Sequence, residues 1–230
     1  MVYDFHTHTS HSDGALSPME LIRRAAASSY SAIALTDHVG VGHLDRIIRE
    51  IAADCALAQE YWNIIAIPGV ELTHLPAHAI AQTAKQAKEL GAKLVVVHGE
   101  TITEPVEPGT NRTAVESSHV DILAHPGLLS LEDAKLAAAH GVFLEISARR
   151  GHSLTNGHVV HVARLAGAKL LLNTDTHDPR DLLTLASAKA IAQGAGLEDE
   201  EIEEVLVTNP HTLLQKLDLP TSPPAGIPER

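Results

Sequence analysis

The chain has very little of several residue types that characterise common protein classes. Cys55 is its single cysteine among 230 residues, which excludes a disulfide scaffold and a zinc module built from cysteines. Aromatic residues make up only 3% of the sequence, so the hydrophobic core must be aliphatic and rich in alanine. No apolar run reaches the length of about 20 residues that a membrane span needs, and no basic, apolar leader is visible. We therefore expect a cytoplasmic protein with no membrane association.

Positive charge is also scarce. The 17 Lys and Arg residues against 29 Asp and Glu residues give a formal net charge of −12. Tight non-specific binding to nucleic acid needs many Lys and Arg side chains on phosphates, so we expect no stable nucleic-acid complex. The oligomeric state is left open. Histidine, by contrast, is abundant, with 16 residues, and the positions of these residues carry the functional argument.

Short apolar segments alternate with longer amphipathic ones along the chain. The apolar segments are nearly continuous and often β-branched, which is typical of strands buried on both faces. They cover Val2–Phe5, Ala32–Leu35, Ile64–Val70, Leu94–Val97, Val120–Leu123, Val142–Ile146 and Lys169–Leu172. Seven strand–helix units without an antiparallel meander predict an α/β protein with parallel strands.

The alternation fits either an open doubly wound sheet or a closed barrel. An open sheet usually carries a glycine-rich phosphate loop after its first strand, and none is present here. Helix boundaries are readable at several points, for example Ser17-Pro18 as a start, Gly141 as the end of Leu131–His140, and Asp178-Pro179 as the start of a helix to about Gln193. We expect one domain over residues 1–217, followed by a Pro-rich, mobile tail over residues 218–230.

Metal-ligand residue types recur where the predicted strands end. These residues are His6, His8, Asp37, His38, Glu71, His98, His125, Asp175 and His177. In a parallel barrel the C-terminal ends of the strands form one mouth, where barrel active sites lie. Imidazole and carboxylate ligands without thiolate suit Zn²⁺, Mn²⁺ or Fe, and a carboxylate can bridge two ions. Five further histidines lie near the proposed mouth, and their participation is left open: His11, His74, His78, His119 and His152.

Five segments, in order along the chain, resemble the motifs of the PHP (polymerase and histidinol phosphatase) superfamily. They are Asp4–Thr9 followed by Ser12–Gly14, Thr36–His38, Gly69–Glu71, Ala124–Gly127 and Thr174–His177. The resemblance extends to about Leu217. It implies a distorted (β/α)7, TIM-like barrel with two or three divalent metal ions (Zn, Mn or Fe) at its C-terminal face.

The resemblance also implies a distribution of ligands among the ions. One ion would be held by His6, His8, Glu71 and Asp175. Glu71 would bridge to a second ion, which is also held by His98 and His125. A third ion would be held by His38, His177 and Asp13, and Asp13 is identified by the motif alone. Asp37, beside His38, is expected to support the ligands.

The predicted reaction is hydrolysis of a small phosphomonoester by a metal-bound hydroxide, with histidinol phosphate as one candidate substrate. Family members that resemble histidinol phosphatases often carry a histidine where this chain has Ser12-Asp13-Gly14. The resemblance therefore supports the reaction class, phosphoester hydrolysis, more strongly than it supports histidinol phosphate as the substrate. The substrate phosphate also needs positive groups. Arg149, Arg150 and His152 are the candidates, since they follow the sixth predicted strand, which lacks an obvious ligand.

Three alternatives remain at this point. A phosphodiesterase or nuclease that acts on nucleotides or short oligonucleotides differs only in substrate. A metal-dependent amidohydrolase also begins with His-x-His, but that class usually has a bridging lysine after strand four, where this chain has His98. A non-enzymatic accessory module would bind metal without turnover.

Overall fold

A computed structural model describes residues 1–223 of the chain. The strands are β1 (Val2–Asp4), β2 (Tyr30–Leu35), β3 (His38–Val39), β4 (Ile65–Leu72), β5 (Leu94–His98), β6 (Ile122–Ala124), β7 (Phe143–Ser147) and β8 (Leu170–Asn173). Seven of them are parallel and form one nearly closed barrel in the order β1-β2-β4-β5-β6-β7-β8, and the two-residue strand β3 pairs with β4 outside this path. The prediction of a distorted TIM-like barrel is therefore confirmed.

Helices follow the strands and cover the outside of the barrel. They are α1 (Pro18–Ala27), α2 (Leu44–Tyr61), α3 (Ile80–Glu89), α4 (Thr110–Glu116), α5 (Leu131–His140), α6 (Asn156–Ala166), α7 (Leu185–Gly194), α8 (Asp199–Glu203) and α9 (Asn209–Lys216). Ser17 caps α1 by accepting from the Glu20 amide, and Gly141 ends α5 in the left-handed conformation. No helix within residues 1–223 is long and apolar enough to cross a bilayer.

One predicted helix start is wrong. Asp178-Pro179 begins only a single 3-10 turn, Pro179–Asp181, and α7 begins after Thr184. The Asp181 carboxylate accepts from the amides of His177 and Asp178, which closes the turn on itself. Leu182 is then extended, so the chain leaves the helical conformation before α7.

The core has two apolar layers. One lies between the sheet and the helices and includes Ile47 and Leu144, and the other fills the barrel around Phe5 and Ile67. Leu213 of α9 packs into the inner layer, so the inner core is apolar up to this helix. Residues 224–230, part of the predicted tail, lie outside the described residues.

The barrel closes between β1 and β8 just beyond the ends of these strands. The Asp175 amide donates to the His6 carbonyl at 2.9 Å, and the His8 amide donates to the Thr176 carbonyl at 2.8 Å. The last residue of β1, Asp4, is buried and accepts from the Thr174 hydroxyl at 2.6 Å. The closure therefore brings the His6–His8 segment against the Asp175–His177 segment at the barrel mouth.

Candidate metal centre

The structure brings all nine residues of the predicted ligand set together at the barrel mouth. One buried group contains His6, His8 and Asp175, whose donor atoms lie within 4.8 Å of one another. His8 Nε2 lies 3.1 Å from Asp175 Oδ1, and His6 Nε2 lies 3.7 Å from the same oxygen. All three side chains are almost completely buried. Two imidazoles and a carboxylate in this arrangement can bind a divalent cation.

Glu71 lies at the centre of the cluster. Its Oε1 is 3.4 Å from His6 Nε2 and 3.6 Å from His125 Nε2, while its Oε2 is 2.5 Å from His38 Nδ1. The two oxygens thus face different groups of histidines, which is the geometry that a bridging carboxylate needs. His98 packs edge-on against His125, with ring centres 4.5 Å apart.

A third group lies nearer to the solvent. His8, Asp13, His38 and His177 place one donor atom each within 4.8 Å of the others. Asp13 is on the turn after β1, and this turn is held by Asp37. The fully buried Asp37 carboxylate accepts from the Thr9 amide at 2.8 Å and from the Ser12 hydroxyl at 2.6 Å. Asp37 therefore fixes the turn that presents Asp13.

Unpartnered polar atoms provide a test of whether this cluster suits metal ions. Among the described residues, seven buried side-chain nitrogen and oxygen atoms lack a hydrogen-bond partner. Six of them belong to five members of the cluster: His6, His8, Glu71, His125 and Asp175. A buried donor or acceptor without a partner costs about 1–3 kcal/mol, so their concentration at one place needs an explanation. Coordination to cations would satisfy the unpartnered Nε2 atoms of His6 and His8 and the oxygens of Glu71 and Asp175, and the residues present fit such a centre.

Backbone strain is concentrated at the same place. Five described residues other than glycine have positive φ, and three of them surround the mouth: His74 at 56°, His125 at 26° and Asp175 at 52°. Each follows a strand end and turns its chain sharply there. Residues other than glycine rarely adopt such backbone conformations, and strain of this kind clusters at functional sites.

Burial and mutual charge shift the pKa values of the cluster in opposite directions. Burial disfavours the charged form of His38, but Glu71 beside it raises the pKa of His38 to about 9. Burial raises the pKa of Asp175 to about 7. Burial and the neighbouring His38 hold the pKa of His8 well below its usual value, and the pKa of Glu71 is also strongly lowered, because His38 and His6 outweigh its burial. Without a metal the cluster thus retains protons at sites that cations can occupy instead.

Sequence reasoning missed Glu145, on β7. This completely buried carboxylate lies 2.8 Å from His6 Nδ1 and accepts from Asn173 Nδ2 at 2.9 Å. A carboxylate behind a metal-binding histidine fixes the orientation of the ring and raises its basicity. The available signal was the charged residue itself, since a glutamate inside the apolar segment Val142–Ile146 needs a partner.

The three phosphate-binding candidates lie in different environments. Arg149 lines the cavity at the mouth, where its Nη1 donates to the Asp175 carbonyl at 3.1 Å and lies 2.7 Å from His177 Nδ1. Arg150 is exposed and lies outside the lining of this cavity. His152 lines the cavity but is buried, with 6% of its surface exposed.

The remaining histidines divide between the mouth and elsewhere. His74 lies at the mouth, with its ring centre 5.3 Å from that of His98. His11 pairs with Glu50 of α2 at 3.6 Å, and His78 is exposed on the 3-10 turn before α3. His119 precedes β6 and therefore lies at the opposite end of this strand from His125. Glu104, which the sequence did not single out, enters the cavity from the loop after β5.

Comparisons with known proteins agree with this geometry. The family model described as the PHP domain matches residues 4–206. An uncharacterized protein of Methanocaldococcus jannaschii is 48% identical over 94% of this chain and 100% of its own length. A probable phosphatase of Shewanella frigidimarina is 26% identical over 93% of this chain and 92% of its own length.

A solved structure shares the fold. The histidinol phosphate phosphatase of Lactococcus lactis, crystallised with zinc, L-histidinol and phosphate, has a TM-score of 0.61 and 18% identity. The match covers 86% of this chain and 94% of that one. The family match confirms the resemblance that the motifs indicated, from the opening His6-Thr7-His8 to the closing Asp175–His177 pair. The chain therefore belongs to the PHP domain family and is a metal-dependent phosphoester hydrolase.

Proposed function

We propose that the protein hydrolyses a small phosphomonoester at a centre of two or three divalent metal ions in the barrel mouth. The observation that carries this proposal is the set of buried, unpartnered donor atoms on His6, His8, Glu71, His125 and Asp175. Two of these residues, His125 and Asp175, line a cavity of about 40 Å³, and Asp13 and Arg149 line the same cavity.

The proposed ligand sets follow the three groups of donor atoms. His6, His8 and Asp175 would hold one ion, Glu71 with His98 and His125 a second, and His38, His177 and Asp13 a third. When bound, zinc, manganese or iron ions lower the pKa of a coordinated water molecule to near neutrality and neutralise the charge of a phosphoryl group in the transition state. Glu145 keeps the His6 ring oriented, and Asp37 keeps the Asp13 turn in place.

Arg149 is the proposed contact for the substrate phosphate. Its guanidinium is about one third exposed and lies at the cavity, 3.6 Å from Asp175 Oδ2 and next to His177. A guanidinium can donate two parallel hydrogen bonds to a phosphate while it remains close to this carboxylate. The net charge of −12 makes a long polynucleotide an unfavourable substrate, which supports a small phosphorylated molecule instead.

Hydrolysis rates on a substrate panel test this proposal. The panel contains histidinol phosphate, nucleotides, sugar phosphates, an aryl phosphate, a phosphodiester and an amide, each assayed with Mn²⁺, Zn²⁺ or Fe²⁺. The similarity to the Lactococcus lactis protein makes histidinol phosphate one member of the panel. We expect at least one monoester to be hydrolysed faster than the diester and the amide. Preferential cleavage of the diester would favour a nuclease, and turnover of the amide alone would favour an amidohydrolase.

A further inference from the structure

We propose that His152 is an additional ligand of the metal centre and that it binds one ion together with His125 and Asp175. The inference rests on the proposed function, since it extends the same centre. The sequence resemblance assigns the second ion to Glu71, His98 and His125, and it gives no metal-binding role to a residue in the loop after β7. The structure places a buried histidine there, where the sequence suggested a contact for the substrate phosphate.

The orientation of His152 is fixed from behind. Gly151 has φ of 96°, a conformation that favours glycine, and it turns the chain so that His152 points back into the barrel mouth. His152 Nδ1 lies 2.7 Å from Thr101 Oγ1 and 3.2 Å from Thr103 Oγ1. When Nδ1–H donates to these hydroxyls, the lone pair of Nε2 is directed into the cavity. Metal-binding histidines are held in this way, by a hydrogen bond from the nitrogen that does not touch the ion.

The distances at Nε2 suit a shared ion better than a hydrogen bond. His152 Nε2 lies 3.7 Å from Asp175 Oδ2, and His125 Nε2 lies 3.8 Å from the same oxygen. Both distances are too long for a hydrogen bond. Two ligands at about 2.0–2.1 Å from one tetrahedral ion lie about 3.3–3.5 Å apart, so a small inward movement completes the site. The three donor atoms lie within 4.8 Å of one another.

The two rings lie against each other at the mouth, with centres 4.1 Å apart and planes 18° from parallel, and the Nε2 atoms of both lie within 4 Å of Asp175 Oδ2. An imidazole lone pair lies in the plane of its ring, so a shared ion requires the two rings to tilt from this stacked arrangement. Asp175 Oδ1 already faces His8 at 3.1 Å, and Oδ2, which lies 3.6 Å from Arg149 Nε, can face a different ion. Asp175 would thereby become a second bridging carboxylate, beside Glu71.

The carboxylates beside His152 Nε2 favour a cation at this atom, since the buried Asp175 has its Oδ2 3.7 Å away. A cation in the same position would be attracted by Asp175 and by Glu104, whose Oε2 lies 3.9 Å from Nε2. Arg149 carries a permanent positive charge and is about a third exposed, so it remains the proposed phosphate contact.

The number of bound ions tests the inference directly. Wild-type protein, His152→Ala and a control, Leu154→Ala, are stripped with chelator, dialysed against limiting Zn²⁺ and analysed by atomic emission, with circular dichroism as the check on folding. Leu154 lies in the same 3-10 turn and is 70% exposed, so Leu154→Ala should bind as much Zn²⁺ as the wild-type protein. We expect His152→Ala to lose about one Zn²⁺ per chain, and added imidazole to restore part of it in His152→Gly.

A second variant keeps the test decisive if His152→Ala does not fold. Thr101→Val removes the hydroxyl that orients His152, and we expect about 10- to 100-fold weaker binding of one Zn²⁺. Full Zn²⁺ content in both variants, with a lower affinity for inorganic phosphate, would overturn the inference in favour of a phosphate contact. Full Zn²⁺ content with unchanged phosphate affinity would assign His152 a purely structural role. Wild-type protein that binds no Zn²⁺, Mn²⁺ or Fe²⁺ would instead refute the proposed function.

Discussion

Two buried aspartates at opposite ends of the barrel show why one end is structural and the other functional. Asp121 immediately precedes β6, and its carboxylate is surrounded by donors. Lys88 Nζ lies at 2.5 Å, the Val95 amide at 2.9 Å and Lys216 Nζ at 3.2 Å. Asp175 follows β8 at the mouth, is equally buried, and has an Oδ1 without any hydrogen-bond partner among the described residues.

The two aspartates differ in the groups that offset the cost of burying the negative charge of each carboxylate. Asp121 receives full compensation within the fold, because α3, β5 and α9 each supply a donor. Asp175 instead faces the nitrogens of His6 and His8, which present lone pairs as readily as protons, while Arg149 Nε lies 3.6 Å from its Oδ2, beyond hydrogen-bond distance. A buried acid whose neighbours are themselves metal ligands is expected to have its charge compensated by a cation from outside the chain.

The largest expected effect is that of Glu71→Gln, at the functional end. This change keeps the volume but removes the charge that faces His6, His125 and His38. We expect the loss of at least one metal equivalent and, since metal ions supply several kcal/mol to the transition state, at least a roughly thousandfold loss of turnover. Metal analysis and single-substrate kinetics check both. Unchanged metal content in a folded variant would show that Glu71 does not bridge two ions.

The next effect compares two adjacent arginines. Truncation of a charge-assisted phosphate contact costs about 1.5–3 kcal/mol, so Arg149→Ala should lower kcat/KM about ten- to a hundredfold with metal content unchanged. Arg150→Ala is the matched variant, because Arg150 is exposed and outside the cavity. We expect its kcat/KM to match wild type. Equal values for wild type and both variants would mean that the metal ions alone hold the phosphate.

A smaller effect is expected in the pH dependence of stability. In the metal-free protein, Glu71 raises the pKa of His38 to about 9, so this histidine stabilises the fold fully below its unfolded pKa. That contribution is lost as the pH rises from about 6.5 to about 9, by at most about 3 kcal/mol. Urea unfolding of metal-free and metal-loaded protein across this range checks it. The loss should be absent in the loaded protein, where a cation replaces the proton, and a flat curve in both forms would contradict the assignment.

The smallest effect on metal binding and turnover is expected from a substitution at the end of the barrel opposite the mouth. Asp121→Asn weakens the contacts to Lys88 and Lys216 and should lower the free energy of unfolding by about 1–3 kcal/mol. Metal content and kcat/KM should remain as in wild type. A loss of metal from this variant would show that the two ends are coupled and that the comparison between them fails.

The sequence indicated which residues would meet at the barrel mouth, for a physical reason. Parallel topology brings all C-terminal strand ends to one face, so Glu71 at the end of β4 and His98 at the end of β5 could be placed without knowledge of any contact. Glu145 was missed because its importance depends on the direction of its side chain within β7. That direction is set by the register against β8.

Loop conformation limited the rest of the prediction. Arg150 and His152 are two residues apart in the sequence, yet one is exposed and the other is buried. The left-handed turn at Gly151 and the hydroxyls of Thr101 and Thr103 produce this difference, and Thr101 is distant in sequence. The same limitation explains the wrong helix start at Asp178-Pro179, where the Asp181 side chain closes a local turn.

The number of metal ions bound per chain tests the central claim most directly. Chelator-stripped wild-type protein would be dialysed separately against Zn²⁺, Mn²⁺ and Fe²⁺, and the bound ions counted by atomic emission beside a thermal unfolding measurement. The account predicts two or three ions per chain with at least one of these metals, and a rise in Tm on loading. No bound ion and an unchanged Tm with all three metals would contradict it, since the unpartnered atoms of His6, His8 and Asp175 would then serve no cation.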